Sequence, residues 1–207
     1  MSTHAAGDGP SLPIGPPPVR ERADAARNRR RALAAAEALF AERGVHSVTM
    51  DDVAAAAGVG KGTLYRRFTD KGGLASALLS ERAIALQGEI LGGPPPLGPG
   101  APPELRLRAF TTAYLRFQAT HLDLVLLSET STPGARLRKG SYAFWAQHAE
   151  MLLRARGVRD PLERAEVLLA GLSAEQVSSW LRDQGRDLEA LVEAMGRLAD
   201  ALGSAGT

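Results

Sequence analysis

Apolar residues along this chain recur at intervals of three and four positions, the spacing that places them on one face of an α-helix. No stretch alternates apolar and polar residues as a half-buried strand would. The predicted fold class is therefore all-α. The pattern predicts longer helices over residues 27–43, 70–91, 135–156 and 160–184, and a last helix that begins at Asp187.

The stretch TMDDVAAAAGVGKGTLYRRF is typical of two short helices joined by a tight turn. Thr49 and Asp52 have the spacing of a capping box, in which each residue caps the other at a helix start. Gly58 suits the left-handed position that ends a helix. The second helix then turns Leu64 and Phe68, four residues apart, toward a core.

The opposite face of this second helix carries side chains whose chemistry suits DNA, namely Lys61, Thr63, Tyr65, Arg66 and Arg67. Lysine and arginine neutralise phosphates, hydroxyl groups donate to phosphate oxygens, and arginine binds guanine through two hydrogen bonds. A solvated basic surface has the same composition, so the spacing alone leaves both interpretations open.

Four segments carry a resemblance to a known family: LAAAEALFAERG at residues 33–44, TMDDVAAAAGV at 49–59, KGTLYRRF at 61–68 and DKGGL at 70–74. Through them, residues 31–78 resemble, without gaps, the N-terminal domain of TetR-family transcriptional regulators. The resemblance implies a helix-turn-helix DNA-binding domain with DNA contacts from Thr49, Met50, Lys61, Gly62, Thr63, Tyr65, Arg66, Arg67 and Lys71. Gly60, Gly72 and Gly73 depart from the family pattern, and we expect them to loosen the second helix of the pair and the start of the fourth helix.

The resemblance also implies a larger helical domain that binds a ligand and forms a homodimer. We therefore divide the chain into a helix-turn-helix DNA-binding domain at residues 27–73 and a helical ligand-binding and dimerisation domain at residues 74–207. Residues 1–26, rich in proline and glycine, are predicted to be a disordered tail whose basic end either contacts DNA or is only solvated. Residues 92–103, GGPPPLGPGAPP, cannot be helical and form a hinge or a mobile loop.

Inward polar groups in an apolar helical bundle are common features of small-molecule pockets. We select as candidate ligand-binding residues Tyr114, Gln118, His121, Glu129, Tyr142, Trp145 and His148, with His148 preferred. Ordinary core packing or surface hydration is the alternative for each of them. The apolar stripe of the last two helices is the candidate dimer interface, or else it packs within its own subunit: Leu168, Leu172, Trp180, Leu188, Leu191, Val192, Met195 and Leu198.

Composition excludes several classes of protein. There is no cysteine to form a disulfide, a catalytic thiol or a thiolate metal site, and the formal net charge is only +2. His121, His148 and Glu129 do not share close metal-ligand spacing, so we predict no metal and no cofactor. We find no apolar run long enough to cross a membrane, no signal peptide and no catalytic motif, and we expect a cytoplasmic protein that is not an enzyme.

The predicted function is that of a DNA-binding transcriptional regulator. The resemblance implies a homodimeric repressor that an unknown small-molecule ligand releases from a palindromic operator in double-stranded DNA, without a membrane partner. Two alternatives stay open, a helical small-molecule carrier and a TetR-like activator. The basic face of the second short helix favours a regulator over a carrier, because a carrier does not need groups that contact phosphates and bases.

Overall fold

The computed structural model describes residues 19–204, with side chains from residue 23 onward, and the regular elements in that range are all helices. They are α1 (Val19–Arg43), α2 (Met50–Ala57), α3 (Lys61–Phe68), α4 (Lys71–Gly92), α5 (Pro103–Thr120), α6 (Leu122–Thr130), α7 (Gly140–Ala155), α8 (Pro161–Ala170), α9 (Ala174–Ser178), which continues into a π-helical turn (Ser179–Asp183), and α10 (Leu188–Leu202). The all-α prediction is confirmed. Within the described range, no helix is both long enough and apolar enough to cross a membrane.

Two hydrophobic cores organise these helices. The N-terminal core gathers α1, α2, α3 and the first turn of α4, with Phe40, Leu64 and Leu74 among its buried residues. The C-terminal core joins the rest of α4 to α5–α10 around Phe110. Because α4 contributes to both cores, the predicted domain boundary between residues 73 and 74 falls inside a helix, and Leu74 belongs to the N-terminal side of it.

The first helix starts earlier than predicted. It begins at Val19, whereas the sequence indicated a start at residue 27 after a disordered tail. After Val19, the added residues are charged or alanine, and an ion pair joins Asp24 to Arg27 one turn later. Such residues favour a helix without producing an apolar stripe, so periodicity does not detect them. The rest of the predicted tail, residues 1–18, lies outside the described residues.

Two of the later helices also differ from prediction. α7 begins at Gly140 and not at residue 135, because residues 135–139 form turns in which Arg136 and Lys139 bind main-chain carbonyls of other segments. The helix predicted over residues 160–184 is interrupted after α8. Ser173 accepts a hydrogen bond from the Gln176 amide and so caps a new helix, α9.

The last helix packs against α5 in its own subunit. Arg108 of α5 forms ion pairs with Glu193 (2.8 Å) and Asp200 (2.6 Å) of α10. This packing corrects part of the predicted dimer interface, since a side chain buried in its own subunit has no surface to offer a second one. The buried members are Leu168, Leu172, Leu191, Val192 and Met195; Trp180 and Leu188 are partly buried against the same core, and Leu198 is exposed.

Candidate DNA-binding surface and ligand cavity

The turn between α2 and α3 is built by the local signals that the sequence contains. The Asp52 amide donates to the Thr49 hydroxyl (3.1 Å), and the Thr49 amide donates to the Asp52 carboxylate (2.9 Å). The Thr49 hydroxyl also donates to the Asp52 carboxylate (2.6 Å), and this hydrogen bond, together with the one from the Thr49 amide, holds the pKa of Asp52 below its usual value. Gly58 adopts a left-handed φ of 60°, which a residue with a Cβ atom rarely adopts. The predicted capping box and glycine turn are both present.

Helix α3 has one buried face and one exposed face. Leu64 and Phe68 are buried in the N-terminal core. The outer face exposes Lys61, Gly62, Thr63, Tyr65, Arg66 and Arg67. No atom lies close to the position that a Gly62 Cβ would occupy, so the backbone there is open to an approaching molecule.

Two exposed cations of this face form hydrogen bonds to other groups of the same domain. The Lys61 Nζ atom lies 2.6 Å from an Asp51 carboxylate oxygen, and this hydrogen bond and charge raise the pKa of Lys61. Arg66 donates from Nε to the Gly62 carbonyl oxygen (3.2 Å). Any anion that binds Lys61 therefore has to compete with Asp51 for this ammonium group.

Two of the predicted DNA-contact residues have their side chains engaged elsewhere. Met50 is buried in the N-terminal core, so only its main chain is available to a phosphate. The Lys71 ammonium donates to the carbonyl oxygens of Val45 and Val48, both at 2.9 Å, and it therefore fastens the α1–α2 loop to α4. The predicted DNA contacts of Met50 and Lys71 stay predictions, and residue type alone did not reveal that both side chains have partners inside the domain.

The glycines at the start of α4 do not leave a loose joint. A Cβ atom on Gly73 would lie 1.9 Å from the Phe68 carbonyl oxygen, and one on Gly72 would lie 2.3 Å from the Ser131 Cβ atom. Both residues therefore allow α4 to pack closely, against the end of α3 and the end of α6. By contrast, no side chain caps α3 at Gly60, as the sequence suggested.

A cavity of about 600 Å³ lies between α4, α5, α6 and α7 in the C-terminal domain. Five of the seven predicted ligand-binding residues line it: Tyr114, Gln118, Glu129, Tyr142 and Trp145. Sequence reasoning missed other lining residues, including Ser76, Phe117, Ser128, Arg136, Lys139 and Phe144. Arg136 and Lys139 gave no periodic signal because they lie in turns.

The two predicted histidines do not line this cavity. The ring of His148 packs edge-on against Phe110, and burial with the nearby Arg106 charge lowers its pKa to about 4. His121 packs against the ring of Phe117 beside a separate cavity of about 380 Å³. The preferred candidate, His148, is thus corrected to a neutral core residue. The described residues contain no group of three or more acidic, histidine or cysteine side chains that could hold a metal ion.

One wall of the cavity is polar and tightly connected. Arg136 and Glu129 form an ion pair (3.2 Å) whose two side chains are only 12% and 11% exposed. Arg136 also donates to the Leu169 carbonyl oxygen, and Glu129 accepts from the Ala174 amide. Burial raises the pKa of the neighbouring Tyr114 hydroxyl to about 12, so this residue stays neutral.

A second polar contact joins this wall to α4. Lys139 donates to the carbonyl oxygen of Ser128 (2.6 Å) and to its hydroxyl oxygen. The Ser128 hydroxyl oxygen lies 2.6 Å from that of Ser76, which is on α4. The chain Lys139, Ser128 and Ser76 therefore connects the cavity wall to the helix shared by both cores.

The arrangement is that of a helix-turn-helix domain attached to a helical domain with a half-open cavity. Residues 32–78 match the family described as bacterial regulatory proteins, tetR family. HTH-type transcriptional regulators from Staphylococcus aureus strains are 47% identical to this chain over 53 residues, which is 26% of this chain and 29% of theirs. The N-terminal domain of this chain is therefore similar to the DNA-binding domain of TetR-family regulators, and the chain spans less than a third of the length of the S. aureus relatives that it matches.

Solved structures extend the likeness in fold to the C-terminal domain. Thermus thermophilus FadR, a TetR-family repressor in complex with lauroyl-CoA, has a TM-score of 0.62 and 23% identity, covering 83% of this chain and 92% of its own. A putative transcriptional regulator from Saccharomonospora viridis in complex with choline has a TM-score of 0.58 and 23% identity, covering 83% and 95%. At this level of identity the likeness shows the fold alone.

Proposed function

We propose that this chain is a DNA-binding transcriptional regulator, a homodimeric repressor released from a palindromic operator by a small molecule bound in the 600 Å³ cavity. The observation that carries the proposal is the two-faced α3. It buries Leu64 and Phe68 and exposes a continuous set of cationic and hydroxyl side chains. A cytoplasmic location and the absence of enzymatic activity are parts of the same proposal.

The exposed face of α3 suits the major groove of DNA. An α-helix fits this groove, and arginine, lysine and hydroxyl groups are the common partners of guanine edges and phosphates. The turn before α3 supports the proposal, because the capping box of α2 and the left-handed Gly58 set the direction in which the chain leaves α2 and enters α3. In a two-fold dimer, two such helices about 34–36 Å apart would occupy successive turns of a palindrome.

The position of the cavity supports control by a ligand. Ser76, Leu79 and Ala83 of α4 line it, and the same helix begins in the N-terminal core. A ligand that prefers one position of α4 therefore changes the population of the DNA-binding conformation. A difference of about 1–3 kcal/mol would weaken operator binding about 5–150-fold. The two structural relatives with lauroyl-CoA and choline support the idea that this fold binds small molecules.

The test is binding of the purified protein to a fluorescent DNA fragment from its own upstream region. We expect dimer-stoichiometric binding that weakens steeply with salt and that scrambled competitor DNA does not remove. A promoter-reporter assay with the same fragment then separates repression from activation. Equal competition by scrambled DNA, for this fragment and for fragments across the genome, would contradict the proposal and favour a small-molecule carrier.

A further inference from the structure

Lys139 is a partly buried cation at the wall of the cavity. Its ammonium group donates to the carbonyl and hydroxyl oxygens of Ser128 and forms no ion pair with a carboxylate of the described residues. An ammonium group has three donors, so two bonds to one serine do not saturate it. Burial lowers the pKa of this lysine, because desolvation penalises its charged form.

The charges along the cavity do not balance. Its lining contains one acidic side chain, Glu129, and two basic ones, Arg136 and Lys139. Glu129 and Arg136 neutralise each other in their ion pair, and Glu129 also accepts from the Ala174 amide. One positive charge, that of Lys139, therefore remains for an occupant of the cavity.

The remaining walls combine apolar side chains with a few uncharged polar ones, such as Gln87 and Gln118. Leu79, Ala83, Phe117, Phe144 and Trp145 line the cavity, and three of these five are aromatic. A volume of about 600 Å³ is typical of pockets that enclose a small organic molecule. An occupant that fits both the cationic wall at Lys139 and the apolar walls has an apolar body and a single anionic group.

We propose that the cavity binds a small amphipathic organic anion, with its anionic group at Lys139 and its apolar body against Phe117, Phe144 and Trp145. This inference rests on the proposed function, because it names the chemical class of the ligand for the same cavity. The anionic group competes with Ser128 for Lys139. Ser128 is also bonded to Ser76, so binding weakens the connection between the cavity wall and α4.

Matched compounds test the charge preference on the unaltered binding site. Octanoate, octan-1-ol and octylamine share one body, and 4-phenylbutyrate, 4-phenylbutan-1-ol and 4-phenylbutylamine share another. Binding is followed by the fluorescence of Trp145 in a Trp180→Phe background, which leaves the cavity tryptophan as the single indole. We expect the carboxylates to bind about tenfold or more tightly than the matched alcohols and amines.

Variants of two neighbouring cations then assign the preference to one residue. Lys139→Met keeps the length of the side chain and removes its charge, and we expect it to remove the preference for carboxylates while alcohol binding persists. Arg138→Met is the matched control, because Arg138 is exposed and bonds to the Thr132 hydroxyl outside the cavity. Circular dichroism melts establish that both variants fold.

Each result has a defined consequence. Equal or tighter binding of alcohols or amines overturns the inference, as does a Lys139→Met variant that folds and keeps the carboxylate preference. Failure of all the compounds to bind at millimolar concentration also overturns it. Operator binding in the same samples separates the two proposals. If carboxylates bind preferentially but do not change DNA affinity, the proposed ligand control is wrong and the anion site stands. If amines alone release DNA, ligand control stands and the anion site is wrong.

Discussion

At the scale of single residues, some of the side chains that we assign to DNA contacts already have a partner within the free protein. Lys61 binds Asp51 across the α2–α3 turn, and both side chains are largely exposed. An exposed pair of this kind is easily exchanged, because water screens the attraction between its members. Under the proposed function, Asp51 is therefore an intramolecular competitor of phosphate at one end of α3.

This competition predicts opposite effects for the two partners. Lys61→Ala should weaken operator binding and reduce the slope of log affinity against log salt by about one, since one phosphate contact is lost. Asp51→Asn should strengthen binding, because it frees Lys61 and removes a negative charge near the DNA. Fluorescence anisotropy across a salt series measures both. Arg159→Ala, on the exposed α7–α8 turn, is the control for a simple change in net charge. A fall in affinity for Asp51→Asn would contradict the competition.

A second residue-scale prediction concerns acid stability. The pKa of His148 is depressed from 6.5 to about 4. The unfolded chain therefore takes up this proton as the pH falls through 6.5, while the folded chain stays neutral until about pH 4. Stability is present above the unfolded pKa and is lost on acidification, by about 2 kcal/mol between pH 7 and pH 5.

Urea unfolding of His148→Leu at both pH values measures this contribution. We expect the variant to lose about 2 kcal/mol less than the unaltered protein on acidification. His46→Leu, at an exposed histidine, is the control for loss of a histidine as such. Identical acid dependence in all three proteins would show that His148 is protonated equally in the folded and unfolded states.

At the scale of elements, the start of α4 shows how close packing selects glycine. Gly73 lies against the main chain of Phe68, and Gly72 lies against Ser131 at the end of α6. Helix propensity alone gives the opposite expectation, because glycine weakens a helix at an open position. The contacts that matter here come from residues distant in sequence or across a turn, so the sequence could not reveal them.

Replacement of glycine by alanine should therefore change the free energy of unfolding in opposite directions at two positions of α4. Gly73→Ala should reduce the free energy of unfolding by about 1–3 kcal/mol, since the new methyl group overlaps the Phe68 carbonyl. Gly88→Ala, at an exposed position toward the C-terminal end of the same helix with no neighbour near its Cβ position, should increase it by about 0.5–1 kcal/mol. Chemical denaturation of both variants is the measurement. Stabilisation by Gly73→Ala would mean that α4 can move away from α3 at no cost.

Elements differed in how well the sequence predicted them. The caps of α2 and α10 were predictable because Thr49, Asp52 and Asp187 form hydrogen bonds to the main chain within three residues. The polar wall of the cavity was only partly predictable. Glu129 was selected by residue type, but Arg136 and Lys139 acquire their positions from carbonyl groups of α8 and α6. Local spacing carries no information about such partners.

At the scale of the whole molecule, the packing of α10 against α5 buries most of the apolar stripe that the sequence indicated as a dimer interface. We therefore expect the dimer contact to use apolar side chains that remain exposed. The exposed large apolar side chains near the end of the chain are Met151 on α7, Leu162 and Val167 on α8, and Leu198 on α10. Val167 is 60% exposed and lies on the outer face of α8, next in sequence to Leu168 of the buried stripe that the sequence indicated. We therefore place the proposed homodimer contact on the outer faces of α8 and α10.

A charge on this outer face should dissociate the dimer. Val167→Glu is expected to weaken self-association about tenfold or more, and operator binding with it, since the two half-sites are then bound independently. Leu105→Glu, at a similarly exposed leucine on α5, is the matched control. Sedimentation velocity across protein concentrations gives the association state. A Val167→Glu dimer as tight as the original would place the contact elsewhere.

The sharing of α4 between two cores also determines how the chain can be divided experimentally. A fragment that ends at residue 73 would remove Leu74 from the N-terminal core, and one that ends at Gly92 would expose Leu79, Ala83 and Ile90. Neither piece keeps its apolar surface covered. The two halves should therefore unfold together, in a single calorimetric transition. Since α3 then exchanges its amide protons only when the whole chain unfolds, a compound bound in the cavity should also protect the amide protons of the distant α3 from exchange.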